Sequence, residues 1–179
     1  MNRPSVVFMD RDGTLINDAH YISDPALVRL LPGAAAAVAR LNVEKIPVIV
    51  VTNQSGIGRG YFTALDYEKV RARFEELLSA QGARIDGSYL CPHSSDDHCI
   101  CRKPRRELFE RAIRDHAFDK SRLIFIGDRW RDVEAFLFYE GARGAMVPSE
   151  MTPSEERERA ERLRITYPDL STALDALLS

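Results

Sequence analysis

The sequence predicts an α/β protein built as a doubly wound parallel sheet with helices on both faces. Three observations carry this. Strand-like apolar runs alternate with helix-like segments along the whole chain. Three of those runs stop abruptly in polar residues, as strands do when their carboxyl ends line a ligand crevice. At 179 residues the chain is long enough to bury such a core as one domain, residues 1–179, without disulfides.

The first strand is expected over 5–9, where Val6-Val7-Phe8-Met9 breaks into Asp10-Arg11-Asp12-Gly13-Thr14. Pro32-Gly33 opens a helix over 33–43. Pro47-Val48-Ile49-Val50-Val51 is the second strand, 47–51, and it delivers Thr52-Asn53-Gln54-Ser55-Gly56 at its end. Thr63, with Asp66 three residues on, suits an N-cap and acidic first turn for a helix over 63–81. A third strand, 86–91, leads into a cysteine-containing loop, and a helix over 105–117 follows. The fourth strand, 122–126, ends in Gly127-Asp128-Arg129 and passes to a helix over 130–140. A last strand at 143–147 and a helix at 171–178 complete the alternation. The mixed charge run from Ser154 to Arg162 reads as a solvated helix or a mobile surface segment.

Composition excludes more than it selects. With 45% hydrophobic and 29% charged residues and a formal net charge of −2, nothing pulls the chain toward nucleic acid or acidic membranes. A monomer acting on a small molecule is expected, with no nucleic-acid or membrane partner. Only Met1 to Pro4 precede the first strand, and no apolar run approaches the length of a membrane span, so a cytoplasmic location is expected.

Asp10 and Asp12 are the most informative residues. Alternation along an extended chain aims both carboxylates the same way, so their repulsion must be offset by a cation or by a proton. Phosphoryl transfer needs this arrangement: one aspartate attacks phosphorus to form an aspartyl-phosphate, and the other protonates the departing oxygen and later activates water. The bland alternative is an acidic loop at a strand end. Against it stand the short hydrogen-bond donors of Thr52 to Gly56, the carboxylates Asp128 and Asp132, and the cationic pair Arg102-Lys103, all expected at the same sheet edge.

All three cysteines fall within eleven residues, Cys91 to Cys101, and with His93 they form C-x-H-x5-C-x-C. Four soft or borderline ligands in one loop suit a tetrahedral structural zinc (Zn2+) held by Cys91, His93, Cys99 and Cys101. His98 is a competing ligand, but His93 pairs with Cys91 as Cys99 does not need His98 to. Four protein ligands leave no open position, so this metal would staple the loop rather than catalyse, and it would position Arg102 and Lys103 directly after it.

The chain resembles the haloacid dehalogenase superfamily of aspartate-nucleophile phosphatases over roughly residues 5 to 148. The resemblance rests on four motifs in order: Asp10 to Thr14, Thr52, Lys103, and Gly127 to Asp132. It implies that Asp10 is the nucleophile and Asp12 the general acid and base, with Thr52 and Lys103 holding the phosphoryl oxygens. It also implies a catalytic magnesium (Mg2+) site made from the Asp10 carboxylate, the Asp12 backbone carbonyl and Asp128. Members often carry a cap domain, but only about 36 residues separate Thr14 from Val51, so no separate cap is expected and the site should be open. Within the superfamily, the zinc motif followed by Arg102-Lys103-Pro104 looks like the branch of the heptose-bisphosphate and histidinol-phosphate phosphatases. Thr52 to Gly60 and Asn17 to Tyr21 resemble loops of the heptose enzymes, whereas the short zinc spacer is closer to the histidinol enzymes. The resemblance assigns substrate contacts to Arg11, to Asp18, Ala19, His20 and Tyr21, and to Thr52, Asn53, Gln54 and Ser55. Arg102 would read a second phosphate on a phosphorylated sugar, beside Lys103 at the reacting one. Arg105 and Arg106 read as exposed charges at a helix start, and Trp130 either covers the site or packs.

Overall fold

The computed structural model describes residues 3–179; the first two residues of the expected 1–179 domain lie outside the described residues. Its centre is a five-stranded, wholly parallel sheet in the order β3-β2-β1-β4-β5. The strands are β1 (Val6–Met9), β2 (Val48–Asn53), β3 (Gly87–Cys91), β4 (Leu123–Gly127) and β5 (Arg143–Met146). All five fall where the apolar runs put them. Around them lie α1 (Ala34–Val43), α2 (Ser55–Gly58), α3 (Ala64–Ser79), α4 (Glu107–His116), α5 (Trp130–Val133), α6 (Ser154–Arg162) and α7 (Leu170–Leu178).

Strand alternation sorts the core into two layers. Val7, Met9, Val48, Val50, Ile124 and Ile126 face α1, α3 and α7, while Val6, Phe8, Ile49, Val51, Leu123 and Phe125 face α4. On the second face, Phe8 meets Phe109 and Phe125 with ring centroids 5.2 Å apart in each case, a packed aromatic trio. Thr63 and Asp66 form the reciprocal cap of α3: the Thr63 hydroxyl accepts from Asp66 N and the Asp66 carboxylate accepts from Thr63 N. The helix expected over 130–140 is α5 followed by a 3-10 turn, Glu134–Phe138. The charge run is a helix, α6, rather than a mobile segment. Among the described residues no domain is inserted between the strands, and no helix is long and apolar enough to cross a membrane.

The strand order decides where chemistry can occur. The chain moves outward from β1 through β2 to β3, then returns across β1 to lay down β4 and β5. Right-handed crossovers therefore put α1 and α3 on one face and α4 on the other, and the connections part between β1 and β4. Asp10 follows β1 and Asp128 follows β4. Asp10 N donates to Ile126 O at 3.0 Å, carrying the β1–β4 pairing up to the acid itself.

Candidate active site and metal centres

A cavity of about 230 Å³ opens at the carboxyl ends of the strands. Asp10, Asp12 and Asp128 line its floor, Thr52, Asn53, Gln54 and Ser55 one wall, and Asp18, His20, Tyr21 and Arg102 its mouth. Residues far apart in sequence are thus gathered by the fold. His20 and Tyr21 have φ of 42° and 62°, the left-handed region, and this pair of non-glycine residues carries its strain at the cavity rim.

Lys103 lies beneath the floor, 2% exposed. Its Nζ is 2.7 Å from Asp10 Oδ1 and 2.7 Å from Asp132 Oδ1, and it donates to Val51 O. Burial alone would depress an ammonium, but Asp10 and Asp132 more than offset this and push the Lys103 pKa above its ordinary value. Asn53 fixes the backbone of that lysine, accepting from Lys103 N at 3.0 Å and donating to Lys103 O at 3.1 Å. Asp132, quoted in the fourth motif without a role of its own, is thereby a structural partner of Lys103.

Three carboxylates, those of Asp10, Asp128 and Asp132, present ligand atoms within 4.8 Å of one another. Burial raises Asp10 to about 8, with Lys103 lowering it and the neighbouring acids raising it further. Asp128 is raised to about 6, again by burial first and then by Asp132. Asp128 Oδ1 is sealed from solvent and has no hydrogen-bond partner among the described residues. Clustered hard oxygens, one of them orphaned, fit a divalent cation such as magnesium, for which Asp10 and Asp128 would be the carboxylate ligands. Gly13 makes this approach possible: it has φ of +84°, and a Cβ there would sit 2.5 Å from Asp128 Oδ2.

Asp12 is held differently. Gln54 Nε2 donates to Asp12 Oδ2 and to Thr52 Oγ1, each at 2.7 Å, so Thr52, Gln54 and Asp12 form one network on the cavity wall. The Arg11 side chain turns inward. It is 1% exposed, stacks 5.2 Å from the Tyr67 ring centroid, and does not line the cavity. Arg11, given a substrate contact by the resemblance, thus has its side chain placed away from the cavity. The alternation that aims Asp10 and Asp12 upward sends the residue between them into the core, a point the sequence carried. Ala19 lies in the exposed rim loop but does not line the cavity either.

The sequence missed the segment after β5. Ser149 Oγ donates to Asp128 Oδ2 at 2.6 Å and Thr152 Oγ1 to Asp128 O at 2.6 Å, fixing the carboxylate from a loop with no recognisable motif. Met151 from the same loop, with Ile22, Arg129 and Arg131, also lines the cavity.

Cys91, His93, Cys99 and Cys101 converge, with ligand atoms within 4.8 Å of one another. Sulfur to sulfur distances are 3.6, 3.6 and 3.1 Å, and His93 Nδ1 lies 3.6 Å from Cys91 and 3.2 Å from Cys101. A tetrahedron with zinc–sulfur bonds of about 2.3 Å has edges of about 3.8 Å, so this donor set fits zinc with little adjustment. His98 stands outside the group, and all three cysteines are free. Burial pushes the Cys91 thiol up, whereas Cys99, which burial would also raise, is brought down to about 7 by hydrogen bonds from the Arg102 backbone and from Cys101. Arg105 fastens the loop by donating to the carbonyls of His98 and Cys99, and Arg106 stacks over Phe138 with 4.7 Å to the centroid. Both arginines are therefore packing and loop residues. Trp130 packs too, 6% exposed beneath Arg159.

Comparison with known proteins agrees with this geometry. Residues 5–135 match the family model described as polynucleotide kinase 3 phosphatase, and residues 100–173 match the HAD-hydrolase-like model. A protein of Thermoplasma volcanium named a probable D-glycero-D-manno-heptose-1,7-bisphosphate 7-phosphatase is 38% identical over 69% of this chain and 84% of its own length. A histidine biosynthesis bifunctional protein of Legionella pneumophila is 36% identical over 72% of this chain, but over only 37% of its own length. The crystal structure of the D,D-heptose 1,7-bisphosphate phosphatase from B. bronchiseptica, complexed with magnesium and phosphate, superposes with a TM-score of 0.84 at 27% identity. It covers 97% of this chain and 98% of that one. The chain belongs to the haloacid dehalogenase-like phosphatases and, within them, to the group that includes the D-glycero-D-manno-heptose 1,7-bisphosphate 7-phosphatases.

Proposed function

We propose that this chain is a magnesium-dependent phosphatase that removes the 7-phosphate of D-glycero-D-manno-heptose 1,7-bisphosphate through an aspartyl-phosphate on Asp10. The observation that carries the reading is Asp10 itself, a buried carboxylate at the switch point, 2.7 Å from Lys103 and clustered with Asp128. Asp10 attacks phosphorus, and the bond from phosphorus to the sugar oxygen breaks as Asp12 gives that oxygen a proton. Asp12 then takes a proton from the water that cleaves the aspartyl-phosphate, restoring both acids. Lys103 and Thr52 hold the phosphoryl oxygens, where fixed donors stabilise developing charge. Magnesium, held by Asp10, Asp128 and the Asp12 carbonyl, would supply charge neutralisation at the phosphoryl group. Zinc at Cys91, His93, Cys99 and Cys101 would be structural, and a reducing cytoplasm suits those free thiols.

The choice of sugar is supported by the names of the relatives and by an open, uncapped cavity that favours a substrate bringing its own recognition groups. A bisphosphate can be anchored at its far end by Arg102 while the near end reacts, converting remote binding energy into orientation. Histidinol phosphate, the second reading, is favoured by the short zinc spacer but has no second phosphate to hold. Phosphate release from both substrates decides between them. A kcat/KM at least about tenfold higher for the bisphosphate, roughly 1.4 kcal/mol, is expected, and the reverse order would make histidinol phosphate the substrate.

A further inference from the structure

Three arginines line the cavity, and within the protein one is held at both ends of its fork and another through a single nitrogen. Arg129 Nε and Nη2 each donate to Glu156 at 3.1 Å, a bidentate pair, and Arg102 Nη1 donates to the His93 carbonyl at 3.2 Å. Arg131 is different. Among the described residues its one ion pair is with Asp132 Oδ1, 3.9 Å from its Nε, and that carboxylate already holds Lys103 at 2.7 Å. Among the described residues the Arg131 Nε, sealed from solvent, has no hydrogen-bond partner, and neither terminal nitrogen donates to another group. Its charge reaches Asp128 on the cavity floor and Glu156 on α6, but it makes no close pair with either.

The backbone carrying Arg131 is braced to hold this position. Glu156 accepts from Trp130 N at 2.7 Å as well as from Arg129, and the Arg159 guanidinium lies 3.9 Å from the Trp130 ring centroid. The first turn of α5 is therefore clamped from α6 on both sides of Trp130. Terminal donors left unspent on a residue that lines the cavity suit an anion brought in from outside the protein. Lys103 and Thr52 already serve the reacting phosphoryl group, so the remaining anionic group of a bisphosphate is the candidate guest.

We propose that Arg131 and Arg102 together seat the non-reacting phosphate of the substrate, with Arg131 a specificity-determining binding residue. The inference rests on the bisphosphate reading above and assigns a second cation to its distal end. Planar forks make bidentate bonds to phosphate oxygens, and a doubly charged group shared between two arginines is held in one orientation rather than merely attracted.

The test compares heptose 1,7-bisphosphate with the same sugar bearing only the 7-phosphate. The quantity read is the ratio of the two kcat/KM values in wild type, Arg131→Met and Arg131→Lys. Arg131→Met removes the charge but keeps an unbranched stem, and it should lower the ratio at least tenfold. Arg131→Lys, which retains the charge without the fork, should lower it by a smaller factor, and it carries the test should the methionine variant fail to fold. A ratio unchanged from wild type in the folded variants overturns this inference and leaves the bisphosphate reading standing, even if both rates fall together. A wild-type ratio near one overturns both.

Discussion

Arg11 and Asp12, adjacent in sequence, are paired side chain to side chain: Arg11 Nη2 lies 3.0 Å from both carboxylate oxygens of Asp12. The cation is buried and the acid faces the cavity, so the pair fixes the direction of Asp12 from below. A carboxylate that must meet a leaving oxygen gains from being held in one rotamer.

Replacing Arg11 should therefore affect turnover rather than substrate capture. Arg11→Met is expected to lower kcat by about tenfold to a hundredfold, roughly 1.4–2.8 kcal/mol, with a much smaller change in KM. Arg11→Lys should recover part of the loss. Steady-state kinetics would contradict this if KM rose tenfold while kcat held.

Asp10→Asn should abolish covalent catalysis, a loss of several orders of magnitude, because an amide cannot replace a carboxylate attacking phosphorus. The fold should survive, since Lys103 keeps Asp132 as a partner at 2.7 Å. A folded, magnesium-saturated Asp10→Asn protein with near wild-type phosphate release would rule out the nucleophile. Asp12→Asn should also cripple turnover.

Magnesium and protons should compete at the floor of the cavity. Without metal, Asp10 titrates near 8 and Asp128 near 6, both raised mainly by burial above the ordinary value of 3.8. A carboxyl whose folded pKa is raised contributes stability below its unfolded pKa and loses it as pH rises through the folded value. Metal-free protein should thus lose stability as pH rises from the unfolded value of 3.8, most steeply up to about 6 and more gently on to about 8. Magnesium competes with the protons of the folded state, so the rise in Tm on adding it should grow between about pH 6 and about pH 8. Thermal melts at the two ends, with and without magnesium, read this directly; a magnesium effect that shrinks with pH would contradict it.

The zinc loop should be separable from the catalytic metal. Purified protein should carry one zinc per chain, and Cys99→Ser or removal of zinc should lower Tm by at least about 5 °C. Arg102, anchored to the His93 carbonyl at 3.2 Å, should lose its position, so activity should fall with magnesium still bound. Full zinc retention after loss of both Cys99 and Cys101 would contradict the assignment.

Much of this was legible in the sequence because the chemistry sits at strand ends. An apolar run has a clear end, and in a parallel sheet that end is where ligands bind, so Asp10, Thr52 and Asp128 were readable by position alone. The cysteine loop was readable because its ligands are local. Harder to see were contacts made across long separations by residues of ordinary type. Ser149 and Thr152 reach Asp128 from an irregular loop, and Glu156 clamps Arg129 from a helix that reads as a solvated charge run. The inward turn of the Arg11 side chain was hard to see for a different reason. Its motif marks it as functional, but strand alternation, applied to Asp10 and Asp12 alone, also dictates that the residue between them points into the core.

Attack by Asp10 on the 7-phosphate of a heptose bisphosphate can be followed on that substrate by phosphorus magnetic resonance. The resonance of the 7-phosphate should disappear into inorganic phosphate while the 1-phosphate signal persists. Loss of the 1-phosphate first, or no turnover of either group by the magnesium-loaded protein, would contradict it.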